Sequence, residues 1–96
     1  MLELVIRPRA RIDLKGIWRY SLEQWGEAQA DRYLRDLERE IRGLPRFPEL
    51  GVSYEHVRAG YRGLHVNRHL IFYRSLEGRL EIVRVLHEAM RVETHL

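Results

Sequence analysis

The sequence predicts an α+β domain in the element order β-α-α-β-β-β, with an αα hairpin packed on one face of an antiparallel sheet. Three observations predict it. Apolar and polar residues alternate at the N-terminus, two later segments repeat apolar residues every three to four positions, and three runs rich in β-branched and aromatic residues follow. A chain of 96 residues can build one hydrophobic core, so we expect residues 1–96 to form a single domain.

The N-terminal alternation of Leu2, Leu4 and Ile6 with polar neighbours predicts a short strand that ends at Pro8. Proline is tolerated in the first turn of a helix, and the spacing that follows predicts a first helix over about residues 8–25. Its apolar face contains Ala10, Leu14, Ile17, Trp18, Ser21 and Trp25.

Gly26 interrupts this pattern and can close one helix and open the next. The spacing then resumes in a second amphipathic helix, whose apolar face contains Ala30, Tyr33, Leu34, Leu37, Ile41 and Leu44. Two helices this close in sequence form an antiparallel hairpin. We expect Trp25 and Tyr33 in the core, whereas Trp18 and Leu22 lie toward the side of the stripe and suit either the core or a docking groove.

Three strands are predicted after a loop marked by Pro45 and Pro48. They are centred on residues 64–66, 70–73 and 80–86, and the pairs Asn67-Arg68 and Glu77-Gly78 separate them. Short turns of this kind join antiparallel neighbours, so the three strands form a meander.

Composition excludes several classes of protein. There is no cysteine for a disulfide or a thiolate zinc site, and no phosphate-cradling glycine loop, so we expect no cofactor. A two-residue turn at Asn67-Arg68 would place His65 and His69 on opposite faces, which argues against a shared metal ion. No apolar run is long enough to span a bilayer, and no signal-peptide pattern is present. We therefore expect a cytoplasmic protein without a membrane partner.

The charge pattern indicates an anionic partner. The formal net charge is only +3, but residues 56–76 contain four arginines, three histidines and no acid. A metal-free ribonuclease needs a proton donor and acceptor together with cations for the phosphorane charge, and Arg62, Arg74, Arg84 and His87 could be imagined in these roles. Alternatively, Arg84 pairs with a helix carboxylate and His87 is a hydrogen-bonded bystander.

The ordered set of motifs resembles the ParE branch of the RelE/ParE toxin family, over nearly the whole chain. The matching residues are Ala10, Asp13, Leu14, Ile17 and Tyr20; Trp25-Gly26, Ala28, Ala30, Tyr33 and Leu34; Pro48, Leu50 and Gly51; Arg62, His69, Ile71, Phe72, Tyr73 and Arg74; and residues 82–87. The resemblance implies a growth-inhibiting toxin neutralised by a ParD-like antitoxin, which alone would carry the contact with operator DNA. ParE-type members poison DNA gyrase, whereas RelE-type relatives cleave mRNA on the ribosome.

Three hypotheses follow. In the first, the protein binds gyrase without catalytic residues of its own; the target is contacted by His87, Met90 and His95, and the antitoxin by Trp18, Leu22, Arg58, Arg68 and Arg74. In the second, it is a ribosome-dependent endoribonuclease with His87 as general acid or base and Arg84 and Arg62 stabilising phosphate charge. In the third, it is a non-toxic module that only binds its antitoxin.

Overall fold

The computed structural model describes residues 1–96 and confirms the predicted α+β class. The elements are β1 (Glu3–Ile6), α1 (Pro8–Trp25), α2 (Glu27–Gly43), β2 (Val52–Ser53), β3 (Tyr61–Val66), β4 (His69–Leu76), β5 (Arg79–His87) and α3 (Val92–His95). The two-residue β2 was not predicted. The sequence leaves the last residues as either a turn of helix or a loose tail, and they form the one-turn α3. None of the helices combines the length and the apolar composition that crossing a membrane requires.

The five strands lie in the order β1-β5-β4-β3-β2. Strands β2 to β5 pair antiparallel, so the predicted meander is confirmed, but β1 runs parallel to β5. The expectation of a wholly antiparallel sheet was therefore wrong. Alternation along a strand shows that one face is buried, but it contains no information on the direction of the neighbouring strand.

Two tight turns fix the register of the meander. Asn67 (φ 55°), Glu77 (φ 42°) and Gly78 (φ 81°) adopt the positive φ angles that two-residue hairpin loops require. Val66 consequently pairs with His69, and the predicted separation of the two histidines is confirmed. His69 contacts Tyr33 of α2, whereas the His65 ring binds Glu88 at 3.0 Å on the other face.

A bulge in the β4–β5 ladder changes the direction of the side chains along β5. Phe72 pairs with Arg84 and the next residue, Tyr73, pairs with Ile82, which leaves Val83 as the extra residue. Ile82 and Val85 therefore both face the helices, although they are three residues apart.

The hydrophobic core has a part on each face of the sheet. The larger part lies beneath the hairpin and contains Ala10, Leu37, Ile41, Leu44, Ile71, Tyr73, Leu80, Ile82 and Val85. Leu70, Phe72 and Leu86 form the smaller part on the opposite face, covered by Tyr54, Val92 and Leu96. Tyr33 is half-buried against the larger part, but Trp25 is 60% exposed, so its predicted place in the core was wrong. Helical spacing fixes which way Trp25 points, but not whether another element covers it.

Tyr73 closes the loop that connects α2 to the sheet. Its hydroxyl donates to the carbonyl of Pro48 and accepts the N–H of Gly51, both at 2.8 Å. Gly51 packs so tightly that a Cβ there would lie 2.8 Å from both the Tyr73 hydroxyl and the Gly63 carbonyl oxygen. Burial raises the pKa of Tyr73, so the hydroxyl stays protonated and able to donate.

Tyr73→Phe should lower the free energy of unfolding by about 1–3 kcal/mol, because it leaves the buried N–H of Gly51 without an acceptor. Tyr54→Phe is the matched control, since the Tyr54 hydroxyl forms no hydrogen bond within the chain, and its cost should stay within about 0.5 kcal/mol. Urea unfolding of both variants measures the difference. Equal losses would contradict the account of the loop.

Candidate functional site

An ion pair between Asp13 and Arg84 joins α1 to the far half of β5. The β1–β5 ladder ends at the Ile6–Ile82 pair because the chain enters α1 at Pro8, so the outer edge of β5 has no neighbouring strand from Val83 onward. Asp13 takes the place of that strand. Its Oδ2 accepts the backbone N–H of Val85 at 2.9 Å and the Nε–H of Arg84 at 2.8 Å, and its Oδ1 accepts from Arg84 Nη2 at 3.0 Å.

These contacts and one further hydrogen bond engage all three guanidinium nitrogens of Arg84. Its remaining nitrogen, Nη1, donates to the carbonyl of His95 at 2.9 Å, and the residue is only 8% exposed. The hydrogen bonds that Arg84 donates to Asp13 raise the pKa of Arg84 above its ordinary value. The structure thus supports the interpretation of Arg84 as the partner of a helix carboxylate.

A groove of about 460 Å³ lies between α1 and the ends of β4 and β5. We call it the docking groove and define it by its apolar side chains Ile12, Ile17, Tyr20, Trp25, Leu86 and Met90. Ile12, Tyr20 and Trp25 are each at least 60% exposed, and the rings of Tyr20 and Trp25 meet edge to face at 6.0 Å. So much exposed apolar surface in one concavity is typical of a site that receives a partner.

The polar end of the docking groove is formed by Tyr33, Arg68, His69 and His87. The Tyr33 hydroxyl lies 2.7 Å from Nδ1 of His69 and accepts the backbone N–H of Arg68 at 3.2 Å. We assign the hydroxyl proton to the bond with His69, which places the proton of that imidazole on Nε2. His87 lies beside it, with the ring centroids 5.3 Å apart, and its Nδ1 accepts the N–H of Ala89 at 3.1 Å.

His69 is held in its neutral form. Burial, and next the neighbouring His87, lower its pKa from 6.5 to about 4. Burial also raises the pKa of Tyr33, so at neutral pH this end of the groove presents uncharged hydrogen-bonding groups next to the cationic Arg68.

The structure does not bring the candidate nuclease residues together. His87 is exposed at the end of β5, whereas Arg84 is turned toward Asp13. Arg62 donates to the Gly51 carbonyl at 2.7 Å. It pairs with Tyr73 of β4, which in turn pairs with Ile82 of β5. That position is roughly 16 Å along β5 from His87.

The candidate antitoxin contacts lie on several surfaces. Arg68 is in the docking groove, but the half-buried Trp18 donates to Asp31 Oδ1 at 2.9 Å and links the two helices. Arg58 donates to the carbonyl of Leu96 at 2.9 Å, and Arg74 pairs with Glu81 at 3.0 Å. Leu22 is half-buried on α1, outside the docking groove.

The candidate target contacts are also divided. His87 and Met90 line the docking groove, whereas His95 lies at a separate recess beside Arg84. The sequence did not predict Ile12 as a groove residue. It lies outside the apolar face of α1, between the charged residues Arg11 and Asp13. An isolated isoleucine on the polar side of a helix was the available signal.

Comparison with known proteins identifies close relatives. The family model described as "ParE toxin of type II toxin-antitoxin system, parDE" matches residues 4–92. The chain is 43% identical over 88 residues to Toxin ParE1 of Caulobacter vibrioides, covering 92% of this chain and 91% of the relative. It is 38% identical over 93 residues to Toxin ParE1 of Mycobacterium tuberculosis, covering 96% and 95%.

Solved structures share the fold at low sequence identity. A chain of the chromosomal ParDE toxin–antitoxin system from P. aeruginosa superposes with a TM-score of 0.81 at 19% identity, covering 91% of this chain and 96% of that one. The YoeB dimer from Staphylococcus aureus gives a TM-score of 0.58 at 13% identity, covering 90% and 95%.

The protonation of His69 can be measured by NMR titration of the five histidine rings. We expect a pKa of about 4 for His69. His87→Gln should move it upward, because the electrostatic effect of His87 contributes to lowering this pKa, whereas His56→Gln should leave it unchanged. Since the unfolded chain takes up this proton near pH 6.5, stability should fall as the pH drops from about 6.5 to about 4. A His69 pKa near 6.5 would contradict the described burial.

Proposed function

Because this chain belongs to the ParE family of type II toxin–antitoxin toxins, we propose that it stops growth by binding and poisoning DNA gyrase in the cytoplasm. A ParD-like antitoxin neutralises it and supplies the contact with operator DNA. The docking groove is the surface through which the toxin meets its protein partners. No catalytic residue of the toxin takes part.

The observation that carries this proposal is that all three guanidinium nitrogens of Arg84 are engaged, by Asp13 and the His95 carbonyl. Charge stabilisation of a phosphorane needs cations whose donors are free to reach the reacting phosphate. Arg84 is held by Asp13 and is only 8% exposed, and Arg62 lies near the other end of the strands. His87 would therefore act without the cations that metal-free RNA cleavage requires, which supports binding over cleavage.

The chemistry of the docking groove suits an amphipathic segment. Exposed Ile12, Tyr20 and Trp25 provide the apolar and aromatic surface on which binding hot spots depend. Arg68 at the rim favours an acidic residue on the occupant. The P. aeruginosa structural relative belongs to a ParDE toxin–antitoxin system, which supports an antitoxin of the ParD kind as this occupant.

Gyrase would contact the same groove through His87 and Met90. Both side chains line the end of the cavity where β5 stops. An antitoxin segment seated on Trp25 and Tyr20 would cover them, so antitoxin and gyrase exclude one another. Neutralisation then needs no change in the shape of the toxin.

Two parallel assays test the function. Purified toxin should inhibit gyrase supercoiling and accumulate cleaved DNA, and should leave mRNA intact on programmed ribosomes. Addition of the antitoxin should abolish the effect on gyrase. Codon-phased mRNA cleavage that disappears in His87→Ala would replace the gyrase proposal with the endoribonuclease one, and inertness in both assays would favour the non-toxic module.

Trp25→Ala tests the role of the docking groove in the same preparation. We expect antitoxin affinity to fall by roughly 30-fold, the size typical of an aromatic hot spot. Phe47→Ala is the matched control, because Phe47 is similarly exposed, at 62% against 60%, and lies outside the groove. Isothermal titration should show a change within about threefold for this control. Equal losses in the two variants would place the antitoxin elsewhere.

A further inference from the structure

A second concave surface lies across the Asp13–Arg84 pair from the docking groove. It has a volume of about 290 Å³ and is formed where the β1–α1 junction, β5, the segment before β3 and the C-terminal residues meet. Its charged side chains are Arg7, Arg9, Arg58 and Arg84, and we call it the arginine recess. Asp13 lines the docking groove and Arg84 lines the arginine recess, so the ion pair separates the two.

Three of these guanidinium groups are available to a ligand. Arg84 is held by Asp13 and the His95 carbonyl, but Arg7 and Arg9 form no salt bridge, and Arg58 gives a single N–H to the carbonyl of Leu96. The Arg58 guanidinium also lies 5.9 Å from the centre of the buried Tyr61 ring, which helps to position it. No aspartate or glutamate side chain lines the recess. Leu96, which does line it, accepts the single N–H of Arg58 through its backbone oxygen.

Two carboxylates on the neighbouring elements α1 and β5 are paired with arginines. Asp13 is paired with Arg84, and Glu81 is paired with Arg74 and Arg79. The hydrogen bond from Arg74 is the main reason that the pKa of Glu81 lies below its ordinary value. The recess therefore concentrates positive charge, with four arginines among its lining residues in a chain whose overall charge is +3.

The lining of the arginine recess favours a phosphate chain over a protein surface. The large apolar side chains that are exposed in this protein all lie elsewhere, and Ile12, Tyr20, Trp25 and Met90 belong to the docking groove. Protein partners bind through such apolar anchors. Nucleic-acid backbones are bound by arginine and lysine charges alone, and the guanidinium fork matches a phosphate oxygen pair.

We propose that the arginine recess binds backbone phosphates of DNA, with Arg7, Arg9 and Arg58 as the ligands. The inference rests on the proposed function for the identity of that DNA, which is the duplex held by gyrase. With the docking groove against the enzyme and the arginine recess against its DNA, the toxin contacts both parts of the cleavage complex at once. It would thereby favour the DNA-bound form of the enzyme.

Fluorescence anisotropy with a labelled duplex of about 20 base pairs tests the recess without gyrase. The double variant Arg7→Gln/Arg9→Gln should bind about tenfold more weakly, and the slope of log affinity against log salt between about 50 and 200 mM NaCl should become shallower by about two. The control Arg19→Gln/Arg42→Gln removes the same charge from exposed helix positions outside the recess. It should stay within about threefold of the wild type. Circular dichroism confirms that both variants are folded.

Equal losses in the two double variants, or no measurable binding of the duplex by the wild type, would overturn the assignment. So would a polyglutamate peptide that competes as well as unlabelled duplex of the same charge, because the recess would then recognise acidic protein. The outcome is separable from the proposed function. Duplex binding through Arg7 and Arg9 in a toxin that leaves gyrase unaffected would refute the gyrase proposal and leave the recess as a DNA site.

Discussion

The carboxylate of Asp13 accepts a backbone hydrogen bond at the edge of β5, where no neighbouring strand is present. Strand β1 covers only the first half of β5, and Asp13 accepts the next edge N–H, that of Val85, while it neutralises Arg84. Through Arg84 the same network reaches the carbonyl of His95 and fixes the C-terminal segment over the smaller part of the core. The hairpin, the sheet and the C-terminal segment thus meet at one ion pair, and the docking groove and the arginine recess lie on its two sides.

The burial of this ion pair decides how much it contributes to the stability of the fold. The side chains of Asp13 and Arg84 are only 13% and 10% exposed, whereas those of Asp36 and Arg39, another ion pair, are 38% and 70% exposed. Exposed pairs of the second kind contribute about 0–1 kcal/mol. Removing one partner of a buried pair costs about 3–5 kcal/mol, a large share of a total stability of about 5–15 kcal/mol. An arginine used in this way is not free for chemistry on a bound phosphate, which is why the fold supports a binding function.

The parts of the structure that could be predicted are those that local patterns determine. Period-two and helical spacing revealed β1, α1, α2 and the meander, and the pairs Asn67-Arg68 and Glu77-Gly78 revealed its turns. The parallel direction of β1, the exposure of Trp25 and the bulge at Val83 depend on contacts between distant segments. The bulge matters most, because it decides which face of the sheet each residue from Glu81 to His87 occupies. The sequence suggested a carboxylate partner for Arg84, but only the fold shows that it is Asp13, 71 residues away.

A double-mutant cycle with Asp13→Ala and Arg84→Met tests the central claim most directly, with unfolding measured in urea. The account predicts a loss of about 3 kcal/mol for each single variant, and a double variant hardly less stable than either, so that the coupling energy is about 2–3 kcal/mol. Unchanged stability in Arg84→Met, together with loss of toxicity, would contradict it. Arg84 would then be a residue kept for a ligand, and the arginine recess that it lines would have to be reconsidered as a catalytic centre.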